Sequence, residues 1–343
     1  MIFPGVIAQQ QLLSIGGAVG GYYLAVAHDV SPFVTIYRQS SGVLVKLANP
    51  LVLPPGTGVG TAFSPSGLYF AIAHVSSPYV SIYSRDGDTF NRLANPATLP
   101  TGTGFGAAFS PDGAYLAVGH ATSPYVTIYS RAGDTFTKLA NPATLPTGTV
   151  GGAVFSPAGV HLVLAHNSAP FLTIYKRSGS TFTKLANPAT LPTGPGYGPA
   201  FSPDGVYLAT AHGSSPFITI YERAGDTFTK LSDPAVLPAG AGYGAAFSPD
   251  GVYLAVAHAT APFLTIYKRS GSTFTKLSNP ADLPTGQGSG VVFNPDGDEL
   301  TISHVTAPYI TTYARSGDSF TKIASPATLP TGGGFYSPST TAA

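Results

Sequence analysis

The chain has 343 residues, of which only 9% are charged, and its formal net charge is +1. An average soluble domain carries about 25% charged residues, so disorder and membrane insertion are the first classes to weigh. A hydrophobic content of 43%, with 20 Phe and 19 Tyr, argues against disorder.

Gly and Pro interrupt the apolar runs long before the ~20 residues that a membrane helix needs, so no membrane insertion is expected. The near-zero charge offers no global field for nucleic acid or an anionic surface. Cysteine is absent, which removes disulfides, thiolate nucleophiles and cysteine metal sites.

Residues 1–14 have no basic n-region, and the first Lys or Arg is Arg38. No secretory signal is therefore expected, which leaves the cytoplasm or a virus particle released by lysis. A weak first strand is expected at 13–18, without the Phe-Ser-Pro motif found further on.

From about 15 to 336 one unit of 46 residues recurs seven times, marked by His28, His74, His120, His166, His212, His258 and His304. In the copy around His120, a strand of very small residues (strand a) runs from Gly104 to Ala108. Pro111-Asp112-Gly113 then makes a tight turn, with Pro presetting φ and Gly taking φ > 0. Tyr115–His120 (strand b) and Tyr125–Tyr129 (strand c) are rich in β-branched and aromatic residues and read as strands. Apolar or small residues occupy both of their faces, as in strands buried on two sides. Ala132-Gly133-Asp134 forms a second hairpin into strand d, residues 135–139.

After the seventh strand d comes Pro330-Thr331-Gly332, and the repeat breaks off at Phe335-Tyr336. The seam is expected at residues 1–14 and 325–343, with 325–338 lying against the first copy beside 13–18. Four antiparallel strands per repeat, seven times over, predict an all-β fold: one seven-bladed β-propeller domain spanning 1–343.

The Phe-Ser-Pro-Asp-Gly turn, the Tyr-Leu-Ala-Val run and the Val-Thr-Ile-Tyr run resemble those of WD40 and YVTN propellers. Tyr129 and its equivalents stand where WD40 repeats have Trp, and His stands where YVTN repeats have Asn. The wording of the repeats is also similar to propellers encoded by tailed bacteriophages. That resemblance implies a virion protein, a capsid decoration or tail-associated component, with host glycan or other virion proteins as partners.

The histidine column raises the possibility of a metal or a pH-sensing ring. Blades pack about 10 Å apart, too far for seven imidazoles to share an ion with ~2 Å bonds. A structural role is expected instead: each His closing strand b and bonding the b–c turn or the neighbouring d–a loop. The eighth, His161, replaces the Tyr of other copies and is expected as a surface substitution. Non-repeated acids (Asp29, Glu222, Asp233, Asp282, Asp298, Glu299) are scattered over different strands and loops. No catalytic residue, metal or cofactor is expected from them.

All 16 Lys and Arg lie on the c–d hairpins or their flanks, which leaves the opposite face, built by the d–a and b–c loops, almost uncharged. One column on that face varies: Val59, Phe105, Gly151, Tyr197, Tyr243, Ser289, Phe335. Its larger members, Val59, Phe105, Tyr197, Tyr243 and Phe335, are the candidate binding residues, since exposed aromatics between glycines suit sugar stacking or a protein contact. The expected function is a non-enzymatic interaction module of a phage virion. The alternatives are a YVTN-like lactonase or hydrolase propeller and an intracellular WD40-type adaptor.

Overall fold

The structure is a computed structural model and describes residues 21–40, 42–334 and 338–342. Twenty-eight strands form seven four-stranded antiparallel sheets, with no helix among the described residues. Each sheet is one blade. Blade 3 shows the pattern: strand a Gly104–Phe109, b Tyr115–His120, c Val126–Ala132 and d Thr135–Lys138. Strands a to c are buried almost throughout, whereas d alternates exposed and buried residues as an outer edge should. The Ser-Pro-Asp-Gly turn works as the sequence predicts: Gly113 takes φ 66°, and the Ser110 hydroxyl accepts from the Tyr115 amide at 2.9 Å.

Two columns join the strands into a core. The strand-c tyrosines Tyr37, Tyr83, Tyr129, Tyr175, Tyr221, Tyr267 and Tyr313 are all 0% exposed. Burying a phenol needs a partner for its hydroxyl, and each supplies one. Tyr129 donates to the Thr98 carbonyl at 3.0 Å, in the loop leaving the preceding blade, and Tyr37 donates to Thr328 at 2.9 Å across the ring closure. The histidine column is fully buried too. Its Nε2 meets a hydroxyl seven residues on, in strand c, as in His212 with Thr219 at 2.9 Å and His74 with Ser81 at 2.8 Å. The expected turn contact is added at His304, whose Nδ1 lies 2.7 Å from the Thr306 carbonyl.

The seam falls within the expected 325–343, and Thr328 and Thr331 bond Tyr37 and Ser31 of blade 1, but the pairing strand differs. Strand a of blade 1 is Ser339–Ala342, paired antiparallel with strand b, Tyr22–Ala27. The C-terminal segment therefore closes the ring one step beyond the anticipated 325–338, while the strand expected at 13–18 lies outside the described residues. Ser339, Thr340 and Thr341 are buried, and Thr340 donates to the Phe293 carbonyl of blade 7 at 3.0 Å.

Candidate functional site

On the face carrying the a–b turns and c–d hairpins, each blade meets the next through the residue that opens strand b. That column reads Tyr23, Tyr69, Tyr115, His161, Tyr207, Tyr253, Glu299. Where it is Tyr, the ring packs edge-on against a Phe of the next blade, as in Tyr69 with Phe136 at 6.1 Å. Its hydroxyl bonds the next c–d hairpin: Tyr23 to Asp88 and Tyr253 to Asp318, both at 2.6 Å. An Arg of the next strand c lies over the ring, at 4.5 Å for Arg85 on Tyr23 and 4.9 Å for Arg315 on Tyr253. Several of these Arg reach back to an Asp in the preceding a–b turn, as in Arg177 with Asp112 at 2.8 Å and Arg315 with Asp250 at 2.7 Å. The charged hairpins therefore stitch blades together as well as solvating the rim.

The boundary between blades 4 and 5 departs from this pattern twice. His161 replaces Tyr, and Ala158 replaces the Asp of the a–b turn. A cavity of about 260 Å³ lies there, lined by Ala158, His161 and Lys176 of blade 4 and by Asp204, Arg223 and Asp226 of blade 5. His161 is 2% exposed, which corrects the expectation of a surface substitution; its ring keeps the edge-on contact with Phe228 at 5.6 Å. Its Nε2 lies 2.9 Å from Oδ1 of Asp226, whose Oδ2 receives Lys176 Nζ at 2.6 Å. Arg223 donates through Nε to the Gly205 carbonyl at 2.6 Å and through Nη1 to Gly225 at 3.0 Å. With Ala158 in front of it, Arg223 has no carboxylate partner among the described residues, whereas Asp204 is held by Arg269 at 3.3 Å.

Burial holds His161 below the usual imidazole range, and the nearby Arg223 and Lys176 add to that effect, against the hydrogen bond that the ring donates to Asp226. The ring is therefore neutral at pH 7, and the contact is a hydrogen bond between a neutral imidazole and a carboxylate. Lys176 first, then His161, keeps Asp226 ionised well below neutrality. An ionised carboxylate only accepts, so Nε2 carries the proton and Nδ1 is left as the basic nitrogen. A neutral imidazole oriented by a carboxylate beside an uncompensated guanidinium matches the parts needed for general-base attack on a carbonyl.

The other departure, Glu299, lies at the ring closure. Its carboxylate accepts from Tyr22 at 2.6 Å and Gln39 at 3.2 Å, and burial raises its pKa. Its bonds to Tyr22 and Gln39 of blade 1 make it a seam contact.

The predicted binding column is placed differently from the sequence expectation. Val59 is 1% exposed, Phe105 8% and Tyr243 9%, so these three are packed; Tyr197 is half-buried and Phe335 lies outside the described residues. The Tyr197 and Tyr243 rings are 5.5 Å apart and tilted by 56°, in contact with each other and not separated by the spacing of packed sheets. The reason is the convergence of inner strands towards the axis: a Cβ on Gly198 would stand 2.8 Å from the Tyr243 carbonyl. Among the described residues no three His, Asp or Glu side chains converge as a metal site.

Sequence reasoning noted His161 but missed Asp226, Lys176 and Arg223. The signal lay between columns: a Tyr lost at 161 and an Asp lost at 158 in the same copy, both facing one boundary.

No protein-family model and no curated protein matches the chain. Solved structures do. A protein of Bacteroides fragilis provisionally assigned as a 6-phosphogluconolactonase superposes with a TM-score of 0.75 at 14% identity, over 94% of this chain and 98% of that one. The periplasmic gluconolactonase of Pseudomonas aeruginosa gives 0.70 at 16% identity, over 93% and 98%. The β-propeller domain of Myceliophteria thermophila Cps50 (Swd1) gives 0.59 at 14% identity, over 82% and 90%. At these identities the likeness fixes the fold. The same likeness corrects the expectation of a non-enzymatic virion module, since the rings matched over nearly the whole chain include a gluconolactonase and a provisionally assigned 6-phosphogluconolactonase.

Proposed function

We propose that the chain is a lactonase-type hydrolase that opens a lactone ring in the cavity between blades 4 and 5. The observation that carries this reading is the His161–Asp226 pair at 2.9 Å, lining a cavity where the ring's repeated Tyr is lost. With its Nε2 proton donated to Asp226, His161 removes a proton from water through Nδ1, and the hydroxyl adds to the lactone carbonyl carbon. Arg223 faces the charge that develops on the carbonyl oxygen, a role in which one fixed donor contributes about 3 kcal/mol. The ring C–O bond then breaks, and the imidazolium returns its proton to the leaving oxygen. One water is consumed and the product is a hydroxy acid. The likeness to lactonase propellers supports the substrate class, since the cavity itself does not specify one.

The test is acid release from gluconolactone and 6-phosphogluconolactone, measured above the buffer rate. Asp226→Asn removes the carboxylate charge that fixes the tautomer and puts an amide donor within reach of the ring; His161→Asn removes the base. Each is expected to lower kcat by about 10²-fold or more. Wild-type protein that never exceeds the buffer rate, or a His161→Asn variant as fast as wild type, overturns the reading.

A further inference from the structure

The Lys–Asp pairing beside His161 occurs elsewhere in the ring, which allows its role to be separated from simple cross-linking. At the boundary of blades 6 and 7, Lys268 reaches Oδ2 of Asp318 at 2.8 Å while Tyr253 holds Oδ1 at 2.6 Å. At the boundary of blades 1 and 2, Arg38 reaches Oδ2 of Asp88 at 3.1 Å while Tyr23 holds Oδ1 at 2.6 Å. At Asp318 the cation takes one carboxylate oxygen and leaves the other to Tyr253, whereas Arg38 lies nearer Oδ2 of Asp88 and also reaches Oδ1 at 3.5 Å. Between blades 4 and 5 the same division has a different chemical consequence, because the residue on Oδ1 is an imidazole that can lose or gain a proton.

We propose that Lys176 is a positioning residue for His161: by occupying Oδ2 of Asp226 it commits Oδ1 to Nε2 and so leaves Nδ1 as the unprotonated nitrogen. The inference rests on the hydrolase reading above and adds a residue that touches neither water nor lactone. Without Lys176, the Asp226 side chain is half-exposed and free to turn, since the remaining hold on it is His161 itself. The charged groups around the ring are Asp226, Arg223 and Lys176, with Asp204 across the cavity engaged by Arg269. Removing the ammonium takes away one of the cations that disfavour imidazolium and leaves the carboxylate that favours it. His161 should therefore titrate at higher pH in Lys176→Gln than in wild type.

The experiment compares Lys176→Gln, Lys176→Arg and Lys268→Gln by nitrogen-15 NMR of the His161 ring and by the pH profile of gluconolactone hydrolysis. Lys176→Gln is expected to raise the His161 titration by about half a pH unit and to mix the two tautomers. It should lower kcat about tenfold with little change in KM, and shift the acid limb of the profile upward. Lys176→Arg keeps a cation on Asp226 and should restore both, as Arg38 holds Asp88 with Oδ2 the nearer oxygen. Lys268→Gln breaks an equivalent pair and should leave both readouts unchanged.

A His161 titration and tautomer in Lys176→Gln that match wild type overturn the proposal, whatever the activity. A shifted titration in a protein with no lactone hydrolysis leaves the positioning intact and overturns the hydrolase reading instead.

Discussion

Seven imidazoles, all 0% exposed and pushed down from 6.5 to about 4 by burial, stay neutral in the fold through the range where free histidine takes a proton. Between those two pH values the unfolded chain binds more protons than the folded one, so stability is complete above pH 6.5 and falls as the pH drops towards 4. A shift of this size is worth about 3 kcal/mol per histidine. Seven of them together exceed the ~5–15 kcal/mol that holds a typical domain. The protein should therefore unfold cooperatively between about pH 4 and 6, ahead of the loss of its depressed carboxylates such as Asp88 and Asp318. Urea midpoints measured from pH 8 to 4 check this; a stability that stays flat down to pH 4.5 would contradict it. The histidine column was legible because its regular spacing fixes its place at the end of strand b. His161 was misread because a period-two pattern says which face a residue takes but not what stands across from it. Asp226 lies 65 residues away, in the next blade.

At the scale of the elements, strand boundaries followed from Pro, Gly and β-branched runs, and the four-strand blade was readable from one copy. The clasp was not. Ser339–Ala342 carries no alternation of large apolar residues, so nothing in its composition marks it as the inner strand of blade 1. Its burial comes from its position between Tyr22–Ala27 and blade 7, a property of the closed ring. Pairing from Tyr22 with Ala342 to Ala25 with Ser339 ties the two ends of the chain together. Ending the chain after Gly334 removes these ladder bonds at about 1 kcal/mol each and leaves an open inner edge. Melting followed by circular dichroism should fall by about 5 °C or more; an unchanged melting temperature would show that the ring closes without this strand. The Tyr197–Tyr243 contact was missed for a related reason, since inner strands converge where outer ones keep the spacing of packed sheets.

The whole molecule is a ring of near-identical boundaries, and identical boundaries are expected to hold the ring together, whereas chemistry needs an exception. Fold and blade number were legible because repetition multiplies a weak strand signal seven times. The candidate site was hidden for the same reason: a single substitution among seven copies looks like drift until the structure shows that His161, Ala158, Arg223 and Asp226 share one cavity. The repeat itself supplies the control. His161→Tyr restores the residue found at Tyr253, where the same Lys–Asp pair accepts a phenol at 2.6 Å, so the variant should fold and melt as wild type does. The decisive measurement is the initial rate of gluconolactone opening by wild type and by His161→Tyr at pH 7.5 under matched stability. Loss of about 10²-fold or more in the Tyr variant, with its melting temperature preserved, is the result this account predicts; equal rates in the two proteins would contradict it.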